Sequence, residues 1–246
     1  MGTPASKIKM KTTQTLYRGG GDTERLYLRN LTFTLKNGVR VVVKKSRIAT
    51  SALEMERVIS RHHSRYNLVG VFCRPGIKVM DVPCGSGYAS SFLRTFGVTY
   101  LGVDIDQATI AYANKIYGDK KTKFKFGDLT TPNFGSNQFD VISCIEGLEH
   151  IERKYQSPLI AAFKKALKPN GILVITSPEN PSGKSGVSQH NPDHLWELTG
   201  TDFLKILKKH FGPNRVECFT QDTSLTTGVT TINYFGICHN KQIINK

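Results

Sequence analysis

No stretch of this 246-residue chain approaches the roughly 20 uninterrupted apolar residues that a membrane-crossing helix needs, so no transmembrane span is expected. The basic N-terminus, MGTPASKIKMKTTQT, has no apolar run behind it, which excludes a secretory signal. Cysteine is scarce: Cys73, Cys84, Cys144, Cys218 and Cys238 are odd in number, widely spaced and contain no C-x-x-C. That excludes a disulfide scaffold and a zinc finger, and it points to a reducing, cytoplasmic location. Acids are also few, 19 against 34 basic residues, for a net charge of +15. Apolar residues, by contrast, make up 39%, enough for a core, so a disordered chain is excluded.

The charge is uneven. Residues 1–50 hold eleven basic residues, Lys7, Lys9 and Lys11 among them, against Asp22 and Glu24. Their net charge is +9, and the other 196 residues carry +6. Such an arm can follow a nucleic-acid backbone or an anionic surface; a solvated tail is the plainer reading. Residues 1–24, with Gly19-Gly20-Gly21-Asp22, show no hydrophobic period and read as a flexible basic tail. Residues 25–70 read as a hairpin and a helix. Leu31, Phe33 and Leu35 alternate with polar residues, as do Val39, Val41 and Val43. Asn37-Gly38 between them is a hairpin signal in which both residues would take positive φ. Ser51 to Glu54 has capping-box spacing and opens a helix to about Tyr66, with Leu53, Met55, Val58 and Ile59 as its apolar positions.

From residue 71 onward strands and helices alternate. Strands are expected at 77–82, 98–104, 123–128, 139–145, 171–177, 215–220 and 231–238, and helices at 90–96, 108–117, 158–168 and 201–211. This is an α/β pattern, a doubly wound, mostly parallel sheet. Only a loop separates the last two strands, so they pair antiparallel.

The chemistry gathers at strand ends, where such sheets bind ligands. The first turn reads Asp81-Val82-Pro83-Cys84-Gly85-Ser86-Gly87-Tyr88. Two glycines let a ligand approach the backbone, and Ser90 replaces the third glycine of a dinucleotide fingerprint. Asp81 suits a cationic group and would repel a pyrophosphate. Asp104, closing the second strand, can accept both hydroxyls of a ribose, while Asp106 is the N-cap of the next helix. Asp128 can accept from an adenine amino group, with Leu129 packing on the ring.

The runs VMDVPCGSGYAS, GVDID, FKFGDLT, FDVISCIEGLEHI and LKPNGILVITSPEN, in this order, resemble class I S-adenosylmethionine-dependent methyltransferases. RHHSRYNLV is similar to the helix before their first strand, and the resemblance spans about residues 60–220. It implies a Rossmann-like seven-stranded sheet with an antiparallel last strand. It also implies S-adenosyl-L-methionine lying over Gly85 and Gly87, its amino-acid end near Asp81, with Asp104 on the ribose and Asp128 on the adenine. Pro83, Cys84, Tyr88, Ile105, Leu129 and Ile145 complete the implied cofactor set. Pro83 stands where a small residue is usual.

After the fourth strand comes Glu146-Gly147-Leu148-Glu149-His150. If this opens a helix, positions i, i+3 and i+4 share a face, and two carboxylates and an imidazole converge. That set can act as a general base on a hydroxyl or hold a divalent cation, magnesium or manganese. Downstream lies His190-Asn191-Pro192-Asp193-His194-Leu195-Trp196-Glu197. Together these segments are similar to the metal-binding set of small-RNA 3′-terminal ribose 2′-O-methyltransferases and to broader quinone and sugar O-methyltransferases. The resemblance implies Glu146, Glu149, His150 and His194 as metal ligands. Glu146 and Glu149 join His150 as candidate catalytic residues. Satisfied helix-start residues are the alternative.

No N-P-P-Y or D-P-P-Y follows the fourth strand, and Cys84 and Cys144 read as core residues rather than nucleophiles. Pro178 to His190 reads as a mobile lid or acceptor loop, and Trp196 as an acceptor platform or a packed residue. The leading reading is methyl transfer to a hydroxyl of a sugar, ribose or small molecule, with His150 as base or ligand. An RNA or DNA methyltransferase using residues 1–50 as a binding arm is one alternative. A non-catalytic cofactor-binding subunit is another.

Overall fold

The computed structural model describes residues 13–17, 25–46, 51–222 and 232–241, of which 13–17, 53–62 and 222 are described as backbone only. Lys7, Lys9, Lys11, the Gly19-Gly20-Gly21-Asp22 run and most of the last loop lie outside the described residues, as do the side chains of Leu53, Met55, Val58 and Ile59. The chain divides into two compact units, Met1–Arg47 and Ile48–Lys246. The helix expected alongside the hairpin therefore belongs to the second unit.

The first unit is a three-stranded sheet, β1 (Thr13–Tyr17), β2 (Leu31–Thr34) and β3 (Arg40–Lys44), in the order β1-β3-β2. β2 and β3 form the expected antiparallel hairpin and bury Phe33, Val41 and Val43 on one face. The turn differs from expectation. Gly38 is its left-handed residue (φ 85°), while Asn37 contributes a side-chain oxygen that accepts from the Val39 N–H at 3.1 Å. An Asx-type bond thus replaces a second left-handed residue. β1 corrects the reading of residues 1–24 as a flexible tail: Thr13–Tyr17 pairs in parallel with β3. Its threonines and tyrosine are compatible with a strand, and pairing with β3 supplies the backbone partners that so short and polar a segment needs.

In the second unit α1 (Ala52–Val71) starts where Ser51 indicates and runs one turn past Tyr66. Then come β4 (Lys78–Asp81), α2 (Ala89–Leu93), β5 (Thr99–Asp104), α3 (Gln107–Tyr117), β6 (Thr122–Phe126), β7 (Phe139–Cys144), α4 (Arg153–Ala166), β8 (Leu167–Pro178), α5 (Gly200–Phe211), β9 (Val216–Asp222) and β10 (Ile232–His239). The seven-stranded sheet has the order β6-β5-β4-β7-β8-β10-β9, and β10 alone runs antiparallel to its neighbours. Strand order reverses between β4 and β7, which opens a crevice at their carboxyl ends.

Local chemistry explains the elements. Asp106 caps α3 as expected, accepting from Ala108 N–H and Thr109 N–H at 2.9 Å each. In α5, Phe203, Leu207 and Phe211 recur every four residues and are buried, and Phe203 stacks on Tyr234 of β10. α4 begins five residues earlier than Pro158 suggests. Proline forfeits one helical hydrogen bond there, but Leu159, Ile160 and Phe163 are fully buried in the core. β8 likewise begins at Leu167, because Phe139 pairs with Leu167 across a bulge that absorbs Pro169-Asn170-Gly171.

Candidate active site

The cofactor turn follows β4. Gly85 and Gly87 both have left-handed backbone (φ 51° and 84°), but they serve different ends. A Cβ on Gly87 would lie 2.6 Å from the Phe124 ring and 2.9 Å from the Ala113 methyl. A Cβ on Gly85 would meet nothing within 4 Å. Gly87 is therefore a packing glycine, and Gly85 leaves open space where a ligand can approach the backbone. Pro83 and Tyr88 are half-buried beside it, whereas Cys84 is a buried core thiol.

Asp81 is fully buried. Tyr100 and Ser143 hydroxyls donate to it at 2.6 and 2.8 Å, and the Tyr66 hydroxyl lies 3.3 Å from both carboxylate oxygens. Burial pushes its carboxyl up to about 6, with the three hydroxyls pulling the other way. A group whose folded-state pKa exceeds its unfolded value stabilises the fold fully below the unfolded pKa. That contribution is lost as pH rises through the folded one. Between pH 4 and 7 the unfolding free energy of Asp81→Asn should therefore rise relative to wild type by about 2–3 kcal/mol. Urea titrations at each pH measure this, and a pH-independent difference would refute it.

The ends of β5 and β6 are adjacent, with Asp104 opposite Phe126. Asp104 accepts from Gly85 N–H at 3.0 Å and from Asp106 N–H at 2.9 Å, which ties the two turns together. Asp128 takes Thr130 N–H and hydroxyl on one oxygen, at 2.7 and 2.8 Å. Ile105 and Phe126, 55% and 52% exposed, flank this edge, and Leu129 is half-buried on the core beside it. Exposed apolar side chains next to two carboxylates suit a flat, polar-edged ring. Phe126 escaped the sequence reading because it looks like an ordinary strand residue.

The segment after β7 corrects the helical expectation. Ile145 is buried at the strand end, Glu146 is left-handed (φ 50°), and only a single 3-10 turn, Leu148–His150, follows. The i, i+3, i+4 face does not exist. Glu146 turns instead to Thr176, whose hydroxyl donates to it at 2.7 Å, and to Arg65 of α1, 3.4 Å away. It is therefore absent from the cluster that forms, in which Glu149, His150 and His194 each bring a ligand atom within 4.8 Å of the others.

Each imidazole in this cluster is fixed through Nδ1. His150 Nδ1–H donates to the Asp193 carbonyl at 3.0 Å, and His194 Nδ1–H to the buried Glu197 carboxylate at 2.6 Å. Both Nε2 lone pairs remain to bind a cation or a proton. Both Glu149 oxygens are buried without a hydrogen-bond partner. Burial, then the like charge of Glu146, drives the Glu149 carboxyl well above the usual range. A partnerless buried carboxylate beside two free imidazole nitrogens fits a divalent cation. Asp193 and Glu197 lie in the D-H-x-x-E segment that carries the resemblance but outside the ligand set it implies; here they orient the two imidazoles.

The downstream segment is pinned. Gly186 and Glu197 exchange backbone bonds of 3.0 and 2.8 Å, and Ser185 donates to Asp202 at 2.5 Å. Gln156 donates to the Leu148 and Trp196 carbonyls at 2.9 Å each, joining the 3-10 turn to this segment. Trp196 packs on the core beneath the Arg153 guanidinium, 5.4 Å from its ring centroid. Among the described residues no helix is long and apolar enough to cross a membrane.

Comparison with known proteins gives a consistent picture. The family model for a methyltransferase domain matches residues 52–216. A ubiquinone biosynthesis O-methyltransferase of Pseudomonas syringae pv. tomato is 26% identical over 162 residues, covering 61% of this chain and 65% of the relative. One from Pasteurella multocida is 32% identical over 114 residues, covering 42% and 46%. The chain thus spans less than two thirds of the length of these relatives. Among solved structures, Haemonchus contortus phosphoethanolamine N-methyltransferase 2 in complex with S-adenosyl-L-methionine superposes with a TM-score of 0.60 at 16% identity, over 73% of this chain and 53% of that one. An S-adenosylmethionine-dependent methyltransferase of Methanosarcina mazei gives 0.59 at 15% identity, over 72% and 98%.

Proposed function

Because this chain belongs to the class I S-adenosylmethionine-dependent methyltransferases, we propose that it transfers the methyl group to a hydroxyl oxygen of a small-molecule acceptor. The observation that carries the reading is the Glu149, His150 and His194 cluster at the carboxyl edge of the sheet. An amine acceptor needs no such set, whereas a hydroxyl must lose a proton as it attacks. The names of the ubiquinone biosynthesis relatives point the same way.

In this reading Gly85 admits the cofactor, Asp104 holds the ribose and Asp128 the adenine. Arg65, buried beside Glu146 with its Nε unpartnered, is available to the cofactor carboxylate. Glu149, His150 and His194 would hold a divalent cation, for which their mixed nitrogen and oxygen donors suit manganese better than magnesium. When bound, the cation would lower the pKa of an acceptor hydroxyl. His150 Nε2 has one lone pair, so it serves either as a cation ligand or, in the cation's place, as the base for the hydroxyl proton; the Asp193 carbonyl fixes the tautomer that both roles need. Glu197 does the same for His194. All five cysteines are free thiols, in keeping with a reducing cytoplasm.

The test is transfer of labelled methyl from S-adenosylmethionine to catechol, ribose, amine and RNA acceptors, with and without chelator. Transfer to a hydroxyl that chelator abolishes and manganese restores is expected. Transfer to amines alone, or indifference to chelator, overturns the reading. Product found only on RNA moves the acceptor to the nucleic-acid class and overturns the small-molecule assignment.

A further inference from the structure

At the opposite edge of the sheet, where the parallel strands begin, a cavity of about 360 Å³ lies between the end of α1 and the entries of β7 and β8. Phe72, Arg74, Asp140, Lys168, Asn170 and Lys241 line it, so three cations face one carboxylate. That carboxylate is already committed: Asp140 accepts from Lys168 Nζ at 2.7 Å and from Lys78 N–H at 2.9 Å. Partial burial raises its carboxyl, but these donors outweigh burial and hold it below the ordinary range. Arg74 and Lys241 make no ion pair among the described residues.

Nor is Lys241 an untethered tail residue. The preceding Asn240 clamps the start of β8, its amide donating to the Lys164, Leu167 and Lys168 carbonyls at 3.4, 3.3 and 3.0 Å. Its backbone N–H bonds Gly171 at 3.0 Å, and Arg215 donates to its carbonyl at 3.0 Å. Five bonds on one residue fix where the chain delivers Lys241 to the cavity rim. Half-buried Phe72 and Ile172 and buried Val141 supply apolar wall between the charges.

Arg74 also acts on Asp140 through space, yet three cations face that single carboxylate; an excess of positive charge with an apolar wall, in a cavity within the ordinary ligand range of about 300–1,000 Å³, marks an anion pocket. We infer that this cavity binds a small phosphate ester of nucleotide size, its phosphate on Arg74 and Lys241 and its organic part against Phe72. Lys168 stays with Asp140 and keeps it from repelling the ligand. The pocket is separate from the methyl-transfer site and does not depend on which acceptor that site takes.

Calorimetry on the full chain, saturated with S-adenosylhomocysteine to occupy the cofactor turn, tests this with uridine 5′-monophosphate, uridine and inorganic phosphate. The monophosphate should bind, and both uridine and inorganic phosphate should bind at least about tenfold more weakly. Arg74 and Lys241 are exposed, so R74Q/K241Q should fold and keep its affinity for S-adenosylhomocysteine. It should lose the monophosphate by about tenfold or more. Equal binding of uridine and its monophosphate, or unchanged binding in the variant, overturns the pocket. Inorganic phosphate binding as tightly as the monophosphate overturns the ester assignment.

Discussion

Glu149→Gln should be more stable than wild type in chelator and less stable than wild type in manganese. Without a cation, wild type buries a carboxyl group with no partner on either oxygen, and burial together with the charge of Glu146 makes its ionisation costly. Gln cannot ionise and so avoids the cost of charging an unsatisfied buried site, typically about 1–3 kcal/mol where the pH forces that charge. With a cation, that same carboxylate supplies the charge that two neutral imidazoles lack, and ligand binding adds stability by mass action. The order of the two melting temperatures should therefore reverse when manganese replaces chelator. Methyl transfer to a hydroxyl should fall by about a hundredfold or more in Glu149→Gln. Glu197→Gln, which loosens only the orientation of His194, should cost about 10–100-fold in metal affinity. Thermal melts of both variants under the two conditions decide the matter. Melting temperatures that keep the same order would show the cluster is no cation site, whatever the activity does.

The second large effect separates two glycines two residues apart. Gly87→Ala should destabilise the fold by about 3 kcal/mol, from left-handed strain together with overpacking against Phe124 and Ala113. For a chain of this size that lowers the melting temperature by roughly 6–12 °C. Gly85→Ala pays only the backbone strain, about 1 kcal/mol, because its Cβ would enter open space. On the proposed placement of the cofactor over Gly85, affinity for S-adenosylhomocysteine should fall by about tenfold or more in Gly85→Ala. Melting curves and calorimetric titrations of the two variants give a crossed result: one loses stability, the other binding. If Gly85→Ala binds as wild type does, the cofactor does not lie over that residue.

The strands were legible because buried parallel strands are short apolar runs between breakers, and Asp81, Asp104 and Asp128 fall at their ends for any reader of the pattern. At other places tertiary contacts override local propensity. Pro158 looks like a helix start, yet the buried Leu159, Ile160 and Phe163 carry the helix across it. Asn37-Gly38 announces a hairpin correctly, but one side-chain bond changes its turn. Thr13–Tyr17 is too short and too polar to declare itself a strand until β3 offers it an edge.

By itself the sequence determined the strands, the antiparallel ending of the sheet and the acids at the strands' carboxyl ends, since periodicity and strand-end chemistry are local properties; the strand order and its switch point came from the tertiary structure. It also named Glu149, His150 and His194, the residues that come together, but with Glu146 among them. Only the tertiary structure decided that Glu146 leaves the set for Arg65 and Thr176, while Glu149 stays buried and partnerless between two oriented imidazoles. The reason is that a ligand set depends on which lone pairs remain unused. That is settled by partners such as Asp193 and Glu197, more than 40 residues away along the chain from the turn that carries Glu149 and His150.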